Sequence, residues 1–310
     1  MVYRKFQRPL TGIDIGKSAV KIVQVMREKK GWRLLAAQSI PFPEETLRLS
    51  LKTENINEPE VFLNTFRELL ERFGKKIHRV GLAIPSEIVK VFINRYASLP
   101  KPGEEADRMI AWLARKSLPF PAEQTHISHY LLGGKAGGVR TFLLTMGFRG
   151  VIREYELNLR ELKIEPEIIR PAGIDHFNFY CDRIPRSGTM AFMGLFENFF
   201  TFFVCVHGSV LFYHGAKRGF SDIHFFQDID MTFHLFENEN PGAKIEKLFF
   251  GSQVGFVRAL EEGLRTLGEI EVVRMQESDF ISLDSVSVGL SRSELCSYAT
   301  AIGAAQSLVQ

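Results

Sequence analysis

Cysteine is scarce in this sequence. Cys181, Cys205 and Cys296 are odd in number and far apart, which excludes a disulfide framework and any metal or redox spacing. Long apolar runs are absent too, so no segment reads as a membrane span. Neither sign of charge dominates: 39 Lys and Arg against 36 Asp and Glu leave +3, too balanced for a nucleic-acid footprint. The basic start (Arg4, Lys5, Arg8) is followed by no apolar stretch, which excludes a secretory signal. No nucleophile stands beside a base. The eight histidines form no ligand set; His126 and His129 fall on opposite faces of one strand. The expectation is a cytoplasmic protein without a bound metal.

What is present is a globular composition, 45% hydrophobic and 24% charged over 310 residues, enough for two domains. There are 27 phenylalanines, several crowded between Phe192 and Phe203, a pattern that fits a central strand buried on both faces. The most informative stretch is Gly12–Lys21, a strand, a turn around Asp14-Ile15-Gly16, and a second strand from Ser18. Two such turns, facing each other, cradle a nucleotide's phosphates: glycine lets the backbone approach and a carboxylate serves hydrated Mg²⁺. Here Asp14, Gly16, Lys17, Ser18 and Lys21 would supply one half. No second Asp-x-Gly occurs in the chain.

Short β-branched segments at 11–16, 18–27 and 32–40, then a helical spacing over 58–73, predict a βββα opening. A second unit from about 77 to 164 reads as two strands, a helix at 103–116, a hairpin around Gly133–Gly138 and a helix at 150–162. A strand at 165–170 and a helix at 174–183 precede a linker at Arg183–Gly188. The opening pattern then recurs weakly: strands at 189–195, 200–207 and 209–214, a helix at 222–238, a strand at 246–250, a helix at 254–267 and a last helix at 292–308. Duplication of three strands and a helix favours an actin-like fold over strict strand–helix alternation.

Residues 12–24 (GIDIGKSAVKIVQ), 97–132 with the Pro119-Phe120-Pro121 corner, and 143–175 resemble, in succession, the PilM family of type IV pilus assembly proteins. The resemblance is clear over 10–180 and thin after Thr189. It implies an α/β, actin-like (ribonuclease H-like) two-domain fold with an inserted α+β module. The division would be 1–76 plus 165–186, a module at 77–164, and a second actin-like subdomain at 187–310 with a reduced or missing cap. The family's second phosphate turn falls on Gly194, Phe196 and Glu197: Gly194 replaces the carboxylate and Phe196 the glycine. On the adenine side only Gly251, with Gly255, remains of a glycine run. The resemblance therefore implies a pseudo-ATPase with no cofactor expected, its cleft filled by Phe196, Phe199 and Phe200.

As an adaptor it would bind the cytoplasmic tail of a PilN-like inner-membrane protein, lying at the membrane only through that partner. Val89, Phe92, Leu118 and Phe120 are candidates for the peptide groove. Self-association is left open. The alternative is a working ATP-binding protein using Asp14, Lys21 and Glu197 with Mg²⁺. A secretion-system component of the same fold and a polymerising actin homologue are further readings.

Overall fold

The computed structural model describes residues 8–29, 31–77, 79–97, 99, 103–115, 121–134, 138–254, 258–267, 270–283 and 289–309. Strands β1 (Leu10–Ile15), β2 (Ala19–Glu28) and β3 (Gly31–Pro41) form an antiparallel meander. Helix α1 (Pro59–Phe73) opens with proline in its first turn, where the missing N–H costs no hydrogen bond, and closes on Gly74 in the left-handed region. It buries Phe62, Phe66, Leu69 and Phe73 along one stripe. Strand β4 (Arg79–Ile84) then pairs parallel with β1.

The chain next leaves this sheet. Strands β5 (Val89–Tyr96), β6 (Thr125–Gly134) and β7 (Arg140–Phe148) make a separate small sheet in the order β5-β7-β6. Helix α2 (Glu104–Ala114) covers one face of it, packing Ile110 and Ala114 against Phe142, Leu144 and Met146. Helix α3 (Arg149–Glu161) leads back to β8 (Ile168–Pro171), which pairs parallel with β4, and to α4 (Ala172–Tyr180).

The second half repeats the plan. Its elements are β9 (Thr189–Leu195), β10 (Phe200–Val206), β11 (Ser209–Ala216), α5 (Phe225–Glu239), β12 (Lys247–Ser252), α6 (Arg258–Arg265) and β13 (Glu271–Arg274). The strand orders β3-β2-β1-β4-β8 and β11-β10-β9-β12-β13 are the same, and so are the parallel and antiparallel steps. This is the duplicated actin-like arrangement expected from the sequence. Only residues 217–224 connect β11 to α5, so no capping subdomain stands between those two elements.

Two strands, β13 and β14 (Ile281–Leu283), carry too few residues to announce themselves by periodicity. β14 crosses back and adds to β3 at the edge of the first sheet. The expected helix at 292–308 is broken by a 3₁₀ turn at Cys296–Tyr298 into α7 (Arg292–Leu295) and α8 (Ala299–Gln306). Both β14 and α8 come from the stretch grouped with the second subdomain, yet α8 packs on β1 and β4. Its Ala- and Gly-rich sequence explains this: every residue is buried, and it suits only a neighbour that offers glycine instead of side chains.

Helices α1 and α3 cover one face of the first sheet. On the other face α4 and α8 share a core with the second sheet through Phe177, Phe192 and Phe203, while α5 and α6 cover the second sheet's far side. β9 and β10 are thus buried on both faces, which accounts for the phenylalanine cluster. Phe200 packs outward against Phe225, and Phe199 lies under Gly215 of β11.

Candidate functional site

The two duplicated hairpins meet across a cleft of ≈ 350 Å³ lined from both halves. In the first, Ile15 pairs with Val20 and the Gly16 N–H donates to Ala19 O at 2.9 Å. In the second, Leu195 pairs with Phe200 and the Phe196 N–H donates to Phe199 O at 2.9 Å. The hydrogen bonding fixes the register: Asp14 corresponds to Gly194, Gly16 to Phe196, Lys17 to Glu197 and Lys21 to Thr201.

Asp14 is buried and bound. Gln253, from the end of β12, donates its Nε2 to Asp14 Oδ2 at 3.0 Å and also to Thr300 Oγ1, and Lys21 Nζ lies 3.8 Å from the same carboxylate oxygen. Burial raises the Asp14 pKa, opposed by Lys21 and Gln253. Phe196 packs on Ala83, Ala172 and Ala304 and against the His176 ring, 5.1 Å between centroids. Opposite Lys17 stand Glu87 and Glu197; burial raises the Glu87 pKa, and Lys217 and Lys17 pull it down.

A second opening runs between β8 and the small sheet. Two cavities of ≈ 600 and ≈ 390 Å³ meet end to end, sharing Ser128, Thr145, Ile169, Arg170 and Pro171. The larger lies beside α3 and takes in Arg149, Arg153 and Arg160. The smaller lies beside α4, with Leu143, Ile174, Phe177, Phe203 and Val210 in its wall.

The family model of the type IV pilus assembly protein PilM matches residues 12–142. The PilM–PilN type IV pilus biogenesis complex contains a chain of similar fold, with a TM-score of 0.84 at 14% identity over 97% of this chain and 98% of that one. Over residues 12–142 the chain is similar to PilM in sequence, and nearly throughout it shares that chain's fold. Two more distant structures share its fold. One is a Bacteroides thetaiotaomicron protein with an actin-like ATPase fold and unknown function (TM-score 0.54, 9% identity, 89% and 93% covered). The other is the cytoplasmic domain of EpsL, an inner-membrane component of the Vibrio cholerae type II secretion system (0.51, 9%, 94% and 94%). No curated protein matches the sequence.

In this chain the cleft gathers Asp14, Gly16, Lys17, Ser18, Lys21, Phe196 and Glu197. Gly194 and Gly251 lie beside each other in β9 and β12 but do not line it. A Cβ on Gly194 would sit 2.7 Å from His176 Nδ1 and from Thr201 Oγ1; one on Gly251 would meet the Tyr180 ring at 2.5 Å. Of the three phenylalanines expected to fill the cleft, Phe196 is there; Phe199, in the turn, packs instead by Gly215 of β11, and Phe200, the first residue of β10, packs against Phe225 of α5. Val89 lines the larger channel cavity. Phe92 belongs to the module's own core and to a separate cavity against β11. Leu118, Phe120 and Gly255 lie outside the described residues.

Gln253, Glu87, Asp175 and His176 did not stand out in the sequence, although a histidine inside the apolar run of α4 was a signal. Asp175 and His176 are buried, and neither His176 nitrogen has a hydrogen-bond partner among the described residues. Burial lifts Asp175 to about 7, opposed by Arg170. Burial, then Lys21, pushes His176 down to about 3.

Their effects on stability have opposite signs. Between pH 4 and 6.5, roughly, the folded chain holds a proton on Asp175 and none on His176, while the unfolded chain holds the reverse. The proton counts match, so the two slopes cancel. In His176→Phe only Asp175 remains; its stabilisation is complete below its unfolded pKa and is lost as pH rises towards about 7. In Asp175→Asn only His176 remains; its stabilisation is present above its unfolded pKa and lost as pH falls towards about 3. Relative to wild type, the unfolding free energy from urea denaturation should fall with rising pH for His176→Phe, and rise for Asp175→Asn, between about pH 4.5 and 6.5, by as much as about 1.4 kcal/mol per pH unit. Parallel profiles for all three proteins would contradict this account.

Proposed function

We propose that this protein is a cytoplasmic adaptor of a type IV pilus inner-membrane assembly platform. It holds the cytoplasmic tail of a PilN-like membrane protein and does not turn over ATP. The observation that carries this reading is the pair of adjoining cavities between β8 and the small sheet, of ≈ 600 and ≈ 390 Å³, which together would take an extended peptide segment. The likeness to PilM, in a structure named for its complex with PilN, supports the choice of partner.

A magnesium nucleotide does not suit the cleft. At the positions of Asp14 and Gly16 the second hairpin carries Gly194 and Phe196, the Phe196 ring stands in the cleft lining, and Gln253 already occupies Asp14. Glu87 and Glu197 face the first turn, so a polyphosphate would meet like charge. Gly251, the remaining glycine of the adenine side, lies under Tyr180.

Titration of the full chain with a labelled peptide from the PilN-like tail should show saturable binding, and addition of excess Mg-ATP should leave the melting temperature where it was. A nucleotide bound at a hundred times its Kd would add about 2.7 kcal/mol and raise that temperature by several degrees. Such a rise, with phosphate release, would favour the ATP-binding alternative built on Asp14 and Lys21. No peptide binding would remove the adaptor reading.

A further inference from the structure

The near-neutral total of this chain hides a division. Residues 187–310 hold 8 Lys and Arg against 15 Asp and Glu, a net of −7. The whole chain nets +3, so residues 1–186 carry +10. An asymmetry of this size between two halves points to an anionic partner for the basic one.

Much of that excess is gathered at one end of the first sheet. The register sets Leu10 beside Val25 and Arg79, Glu28 beside Gly31, and Gly81 beside Ile168. The start of β1, the β2–β3 turn and the starts of β4 and β8 therefore share the end remote from the cleft. They bring together Arg8, Arg27, Lys29, Lys75, Lys76 and Lys163, all exposed and none in an ion pair among the described residues. Lys75, Lys76 and Lys163 follow the C-termini of α1 and α3, where cations are common. Arg8, Arg27 and Lys29 have no such reason to be there. Three carboxylates of the same end are already held by arginines: Glu28 by Arg33, Glu167 by Arg79 and Glu165 by Arg160. Glu71 and Glu161, with Asp279 beyond β3, are left against the six cations.

The five strands from β3 to β8 make this end about 19 Å across, with cations from the β2–β3 turn at one side to the α3–β8 connection at the other. Among the described residues no exposed aromatic side chain stands there for bases to stack on. Cations spread over an area, without a groove or a stacking platform, suit a planar anionic surface. We infer that this end of the first sheet docks directly on a bilayer of anionic phospholipid, its lysines and arginines drawn to the lipid phosphates. The inference goes beyond the adaptor reading, which leaves contact with the membrane to the partner. It also sets an orientation, with the cleft turned away from the lipid.

The test is co-sedimentation of the full chain, with no partner present, on vesicles of phosphatidylcholine alone or with phosphatidylglycerol added. The chain should bind the anionic vesicles and leave the neutral ones. Raising salt from about 0.1 M to about 1 M cuts the screening length from about 10 Å to about 3 Å and should release it. Lys75→Ala with Lys76→Ala, and separately Arg27→Ala with Lys29→Ala, should each weaken binding about twentyfold, since each cation near such a surface contributes about fivefold. Both pairs lie in exposed connections, so either can report if the other disturbs the fold. Lys52→Ala with Lys217→Ala removes the same charge from exposed positions towards the cleft and should change binding by less than about twofold. Equal sedimentation with both kinds of vesicle, or with neither, would overturn the inference. An equal loss in the Lys52 and Lys217 variant would overturn its placement at this end. Tighter binding to a DNA duplex than to the anionic vesicles at the same salt would overturn the choice of lipid. Failure of the PilN-like tail to bind would remove the adaptor reading and leave this result untouched; vesicle indifference with a bound tail would do the reverse.

Discussion

Gly12→Ala should cost about 3 kcal/mol or more, the added methyl group making the closest approach among the described glycines. The Cβ would lie 1.8 Å from Ala301 O and 2.8 Å from Ala305 N, so it meets helix backbone and no side chain can swing away. Gly81 stands in the same relation to Ala304 O at 2.0 Å, and Gly303 to Asp175 O at 1.9 Å. α8 therefore rests on β1 and β4 with no side chain between them, and α4 rests on α8. Overpacking a close-packed core costs about 1–3 kcal/mol where side chains can adjust; separation of two backbones leaves a gap along the whole helix. Gly133→Ala, where nothing lies within 4 Å, is the control and should change stability by no more than about 0.5 kcal/mol. Urea denaturation of both variants decides it: equal midpoints would mean that α8 has room to move, contrary to this packing.

The second large effect concerns an attempt to rebuild the lost phosphate turn. Gly194→Asp with Phe196→Gly restores the residue types of the first hairpin at the corresponding positions. It should nonetheless bind no nucleotide and lose about 3 kcal/mol or more. The new side chain would start 2.7 Å from both His176 Nδ1 and Thr201 Oγ1, and its carboxylate would be buried beside a histidine held neutral. Phe196→Gly alone removes a half-buried ring from its alanine seat and should cost about 1.5–3 kcal/mol. Calorimetry with Mg-ATP beside a thermal melt separates the outcomes. A folded double variant that binds ATP would show that His176 and Thr201 yield easily, and that the cleft lies two substitutions from function.

Much of this was legible in the chain. The βββα opening, the module and the return strand follow from local periodicity and turn residues, and the weak recurrence after Thr189 proved to be a repeat in strand order. The correspondence of Phe196 with Gly16 could be counted from hairpin turns, because register in a tight hairpin is a local property. Gln253 was not legible in this way. Its bond to Asp14 joins residues 239 apart, and nothing in the composition of the β12–α6 connection announces a partner on β1. The placement of Phe199 and Phe200 failed for a related reason: a run of phenylalanines shows burial, not which face each ring takes. β13 and β14 escaped because four and three residues are too few to show a period.

The return of β14 and α8 to the first sheet has a consequence for biosynthesis. The first lobe cannot close when its strands β1 to β4 have left the ribosome, because the helix that seals one of its faces is translated only after the whole of the second lobe. Until then Gly12 and Gly81 line an open apolar trough. Nascent chains should therefore stay sensitive to protease along β1 and β4 long after these strands emerge, and the two lobes should gain protection together.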